Sequence, residues 1–111
     1  MALEKIILYH GGHRDKVLGL DVYGLNQNTP FYCTRSCSLA REAENSYGLE
    51  GTMFKLEVPK EIFDECLAAG YWIERPYMGC IPMDHSTEVV INQGEGIKIM
   101  NKVIATERKT F

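Results

Sequence analysis

The stretch Ile6-Ile7-Leu8-Tyr9-His10-Gly11-Gly12 constrains the fold more than any other: a run of β-formers meets a histidine and then two glycines. β-Branched and aromatic residues suit a half-buried pleated surface, and paired glycines let the backbone come close to whatever the histidine faces. These residues predict a first strand that halts at His10, leaving an imidazole at the mouth of a sheet. Binding and catalytic groups concentrate where loops are held by a rigid sheet, so His10 is a site candidate. A histidine that caps the strand with its ring satisfied fits the stretch equally well. Other segments must decide.

With 111 residues, 45% hydrophobic and 24% charged, the chain predicts a single domain, residues 1–111, with one modest core. The net charge of -3 comes without a Lys/Arg block, which argues against nucleic acid or an anionic membrane as partner. No apolar stretch approaches the roughly 20 residues of a membrane span. Met1-Ala2-Leu3-Glu4-Lys5 lacks the pattern of a signal peptide, so a cytoplasmic protein is expected. Cys33, Cys37, Cys66 and Cys80 form no CxxC pair and sit among small or apolar neighbours; free thiols are expected. His10 and His13, with His85 and Cys33, lack the tight paired spacings of zinc sites, and no metal is expected.

Beyond the glycines, residues 13–29 are half polar and rich in Gly and Asn. They read as a loop, with at most one helical turn or an irregular strand near Asp21-Val22-Tyr23; so long a connection in a small domain is usually functional. Pro30-Phe31-Tyr32-Cys33-Thr34 reads as a strand opened by proline, with Phe31 and Cys33 on one face and Tyr32 and Thr34 on the other. Ser36 or Ser38 caps a helix through Leu39–Tyr47, stopped by Gly48, with Leu39, Ala40, Ala43 and Tyr47 as its apolar stripe. Its alanines predict close packing on the sheet.

Gly51–Val58 alternates Phe54, Leu56 and Val58 against Met53, Lys55 and Glu57, the pattern of a half-buried strand. Lys60–Gly70 reads as a helix with Ile62, Phe63, Cys66 and Leu67 inward and Gly70 as cap. Tyr71–Met83 shows no period; its Trp72 and Tyr77 read as core or loop anchors before ligand platforms. Thr87–Asn92 and Ile97–Ile104 read as two strands joined by a Gly-rich turn. Five strands and two short helices predict an α+β or mixed α/β domain with a partly antiparallel sheet.

Three strand ends thus carry chemistry: His10, Tyr32 and Glu88. A carboxylate placed just before the apolar Val89-Val90-Ile91 lies at a sheet rim, where burial can tune it; a glutamate that only marks a solvent-facing strand start is the plainer alternative. Order and context resemble the His-Tyr-Glu form of the ADP-ribosyltransferase superfamily. Tyr9-His10-Gly11-Gly12 is similar to that family's first motif. Phe31-Tyr32-Cys33-Thr34 followed by Leu39-Ala40 resembles its second, and Ser86-Thr87-Glu88-Val89-Val90-Ile91-Asn92 with a further strand at Ile97-Lys98-Ile99 resembles its third.

The resemblance implies split, mainly antiparallel sheets with NAD as co-substrate, cleavage of the nicotinamide–ribose bond, and transfer of ADP-ribose to a protein acceptor, as in a toxin, phage protein or effector. It implies that His10 hydrogen-bonds the ribose or adenosine end, that Gly11, Gly12 and Thr34 help to seat NAD, and that Tyr32 stacks on nicotinamide. Glu88 would stabilise the positive charge of the transition state, as carboxylates do in glycoside chemistry. Ser86 stands where arginine- and asparagine-directed members carry Glu or Gln, so arginine modification is not implied, although Asp84 and His85 lie close enough in sequence to serve an acceptor. Two rival readings are a non-catalytic module of the same fold binding NAD, ADP-ribose or a protein, and an unrelated interaction or inhibitor protein in which His10 and Glu88 are surface residues.

Overall fold

The computed structural model describes residues 4–77 and 87–111. Two three-stranded antiparallel sheets and four α-helices make an α+β fold. In the first sheet, β1 (Lys5–His13) pairs with β3 (Gly51–Pro59) along nine residues, from Lys5 opposite Pro59 to His13 opposite Gly51. The short β6 (Lys109–Thr110) adds to the far side of β3 at Lys55 and Leu56. The second sheet has β5 (Thr87–Ile91) between β2 (Phe31–Cys33) and β4 (Trp72–Pro76). The sheets meet at one point, where Tyr9 and Thr34 exchange backbone hydrogen bonds of 2.7 and 2.9 Å.

The alternation read in β3 holds: Phe54, Leu56 and Val58 are buried. One core joins them to Leu8, Trp72, Val89 and Ile91 from the other strands. Helix α3 (Lys60–Ala69) buries Phe63 and Cys66, and Gly70 ends it in the left-handed conformation at φ +78°. Helix α2 (Cys37–Asn45) begins under Ser36, whose hydroxyl accepts the Leu39 N–H at 3.2 Å. Its stripe ends earlier than expected, since Tyr47 lies past the helix and is half exposed.

Several elements differ from the expectation. The first strand does not halt at His10; it runs to His13 because Gly11 lets α2 lie directly on it. A Cβ at Gly11 would strike the Ala40 carbonyl, and one at Gly51, across the sheet end, would strike that of Glu44. The supposed loop after residue 13 is helix α1 (Arg14–Tyr23), started by the His13 side chain, which accepts the Asp15 N–H at 3.2 Å. Val17 and Leu20 of α1 are buried while Leu18, Val22 and Tyr23 stand exposed, so contact with the core rather than a periodic pattern holds this helix.

The expected strand Ile97–Ile104 is instead part of helix α4 (Glu95–Thr106). Ile97, Met100, Val103 and Ile104 are buried at helical spacing, and the β-preference of isoleucine and valine yields to that burial. Gly96 admits the backbone of Tyr71, and its carbonyl accepts the Trp72 indole N–H at 3.0 Å. Among the described residues the α-helices therefore number four rather than two, and every strand pair is antiparallel, without the mixed pairing anticipated. No helix of the described residues is long and apolar enough to cross a membrane.

Candidate functional site

A cavity of about 140 Å³ opens beside the seam between the two sheets. His10 lines it from β1, Tyr32 from β2 and Glu88 from β5, so three residues far apart in sequence share one recess. Leu39, Ala40 and Ala43 of α2 form an apolar wall, and Tyr9 and Tyr77 also line the cavity. A recess of this size holds one six-membered ring, as an apolar cavity of about 150 Å³ holds benzene. The small alanines matter here: they bring α2 close to β1 while leaving that space.

His10 is fixed from two sides. Its Nδ1 lies 2.7 Å from the Tyr32 carbonyl oxygen, which can only accept, so Nδ1 carries the proton and donates. The ring lies 4.4 Å from that of Phe31, tilted by 39°. Burial pushes the His10 pKa below its ordinary value, and the Tyr32 hydrogen bond opposes only part of that effect. The neutral ring then leaves Nε2 as an acceptor. Gly12 stands behind it rather than on the cavity: a Cβ there would come within 3.1 Å of Nε2.

Tyr32 lines the cavity and is 47% exposed. Thr34 lines the cavity but is buried, its hydroxyl donating to the Thr87 carbonyl at 2.6 Å and accepting the Ser36 N–H at 2.9 Å. Gly11 lines the recess and also carries α2. Glu88 has a side chain only 13% exposed, and its Oε2 accepts the Arg75 Nε–H at 2.8 Å. The two residues sit directly opposite each other in the β4–β5 pair. Arg75 lies inside the stretch that shows no sequence period. Recognising Trp72–Pro76 as a strand, and its register on β5, is what would have found it.

Cys33 also touches the cavity, yet its buried thiol contacts the Val89 carbonyl and its pKa is pushed up, which removes it as a nucleophile. Cys33, Cys37 and Cys66 are free thiols; Cys80, like Asp84, His85 and Ser86, lies outside the described residues. His13 does not line the cavity, its Nε2 donating to Glu50 at 2.8 Å, and no cluster of metal-ligating side chains occurs among the described residues. Trp72 is wholly buried, whereas Tyr77 reaches the cavity. A larger concavity of about 420 Å³ between α3 and α4 has Ile62, Ile99 and Val103 among its lining. Glu65, Tyr71, Lys102 and Thr106 share that lining, but none of His10, Tyr32 and Glu88 reaches it. No protein-family model, curated protein or solved structure matches the chain.

Proposed function

We propose that this chain is a mono-ADP-ribosyltransferase that uses NAD as co-substrate and a protein as acceptor. The observation that carries the proposal is the convergence of His10, Tyr32 and Glu88 on one ring-sized recess. A flat cationic ring suits a recess walled by tyrosines, because aromatic faces attract cations. At 140 Å³ the cavity takes the nicotinamide end alone, and the remainder of NAD stays on the surface. In the reaction the nicotinamide–ribose C–N bond breaks with its electron pair going to the ring nitrogen. The acceptor nucleophile bonds the same ribose carbon and gives up a proton.

Each residue has a task in that scheme. Tyr32 binds the ring by stacking. His10, with Nδ1 donating to the protein, offers Nε2 to a ribose hydroxyl. Glu88 holds a carboxylate where positive charge develops on the ribose, and such an interaction gains strength as the bond breaks. Two antiparallel sheets meeting beside the cavity suit the split-sheet arrangement that the sequence resemblance implies. Helix α4 departs from it, standing where that resemblance implies a strand.

A second reading, a module that binds NAD or ADP-ribose without catalysis, is favoured by one observation: Glu88 is already partnered by Arg75. The interaction-protein reading requires His10 and Glu88 to be unrelated surface residues, and their shared cavity weighs against it. Calorimetric titration with NAD, with nicotinamide release and mass spectrometry of an NAD-treated lysate beside it, separates the three. Binding with release and a mass gain of one ADP-ribose on a lysate protein supports transfer. Binding without release or modification supports the module, and no binding overturns both.

A further inference from the structure

We propose that Arg75 is a positioning residue that clamps the Glu88 carboxylate from outside the cavity, tying one oxygen and presenting the other to the substrate. This rests on the proposed transfer reaction and adds a residue to it. Arg75 and Glu88 face each other across the β4–β5 pair, so the strand register, not side-chain chance, brings them together. The guanidinium Nε is 2.8 Å from Oε2. Arg75 does not line the cavity and its side chain is 51% exposed, whereas that of Glu88 is 13% exposed. Among the described residues Oε1 accepts no hydrogen bond, and it is the oxygen left for a ribose hydroxyl.

The chemistry explains why a clamp is useful. A glutamate has three side-chain torsions, and one held by a single polar partner at one oxygen loses most of that freedom before the substrate arrives. The partner is an arginine, whose Nε–H belongs to a rigid planar guanidinium and donates in a set direction, whereas a lysine ammonium is a rotatable point charge. The cost is that a nearby cation opposes the positive charge of the transition state. Approach from the solvent side, where water screens it, limits that opposition.

The test compares Arg75→Ala and Arg75→Lys with the parent chain. Nicotinamide release by Arg75→Ala is expected to fall about tenfold in kcat with KM for NAD changed by less than about threefold, because an orienting contact acts on the transition state. Added guanidinium ion, entering from solvent beside half-exposed Arg75, is expected to restore part of that rate, while Glu88→Gln gains nothing from it. Arg75→Lys should recover less than guanidinium does. Unchanged kcat in Arg75→Ala, or a loss confined to KM, would overturn the proposal.

A measurement on the ligand-free chain keeps the result independent of NAD and of how the Arg75 variants fold. The Arg75 Nε–H is expected to exchange slowly with water by NMR in the parent chain and fast in Glu88→Gln. Fast exchange in the parent chain overturns the clamp even if NAD is cleaved. Slow exchange with no nicotinamide release upholds the clamp on the ligand-free protein and overturns the transfer reaction instead.

Discussion

The two sheets are built alike in hydrogen bonding and differently in purpose. In the first, β1 and β3 stay in register for nine residues and carry α2 on glycine backbone. In the second, β2 pairs with β5 over three residues and β4 with β5 over five, and it supplies Tyr32, Glu88 and Arg75. Long uninterrupted pairing fixes a frame. Short strands with polar ends place side chains at a rim, where a ligand can reach them. His10 belongs to the long pair and reaches into the short one with its side chain, through its bond to the Tyr32 carbonyl, one residue on from the Tyr9 backbone bridge to Thr34.

Substitutions can break that division of labour, and the largest effect should fall on the frame. Gly51→Val pushes a side chain into the Glu44 carbonyl and should cost about 3 kcal/mol, the upper end of overpacking penalties, seen as a fall of about 10 °C in thermal midpoint. The folded fraction should still bind NAD normally. In the second sheet Glu88→Gln should do the reverse, slowing ADP-ribose transfer about a hundredfold or more with NAD affinity little changed. Transfer at the parent rate would end the catalytic assignment. Tyr32→Ala should weaken NAD by about 1–2 kcal/mol through lost stacking, measured by calorimetry, with the midpoint nearly constant.

Smaller effects sharpen the same contrast at the two histidines. His13→Ala removes the cap of α1 and should lower stability by about 1 kcal/mol in urea, without touching NAD binding. His10 should show itself through pH. Its pKa in the folded chain is lowered from the ordinary 6.5 by burial, so just below that value the unfolded chain takes up a proton that the native chain refuses. The neutral ring's contribution is complete above pH 6.5 and is lost as pH falls through the window beneath it. Urea midpoints should therefore decline on acidification across that window, and His10→Gln should flatten the decline.

The sequence announces the two sheets unevenly. β3 is legible because polar and apolar residues alternate strictly along it, and α3 because its apolar spacing and Gly70 agree. α4 is misread because Ile97-Lys98-Ile99 alternates like a strand; only Met100, Val103 and Ile104, taken together, show the helical period. α1 has no period to read, since a histidine cap and two core contacts hold it. At the site, His10, Tyr32 and Glu88 stand out in the sequence as polar or aromatic groups set against apolar runs, although His10 and Tyr32 lie inside their strands and not at the ends. Arg75 does not, because its meaning lies in a register between strands separated by residues 77–86. Tyr77 and the α2 wall are likewise products of how elements meet.

The burial of the sole tryptophan has a practical optical consequence. Trp72 is wholly enclosed, hydrogen-bonded to the Gly96 carbonyl and 6.1 Å from the Phe63 ring, and it alternates to the sheet face opposite Tyr32 and Glu88. Its emission should be blue-shifted in the native chain and move to the red as water reaches the indole on unfolding. Ligand capture in the proposed recess would involve Tyr32 on the far face, so it should leave that emission nearly unchanged. The molecule thus carries two separate chromophore sets, an indole that reports the integrity of the core and phenols that report the occupancy of the recess.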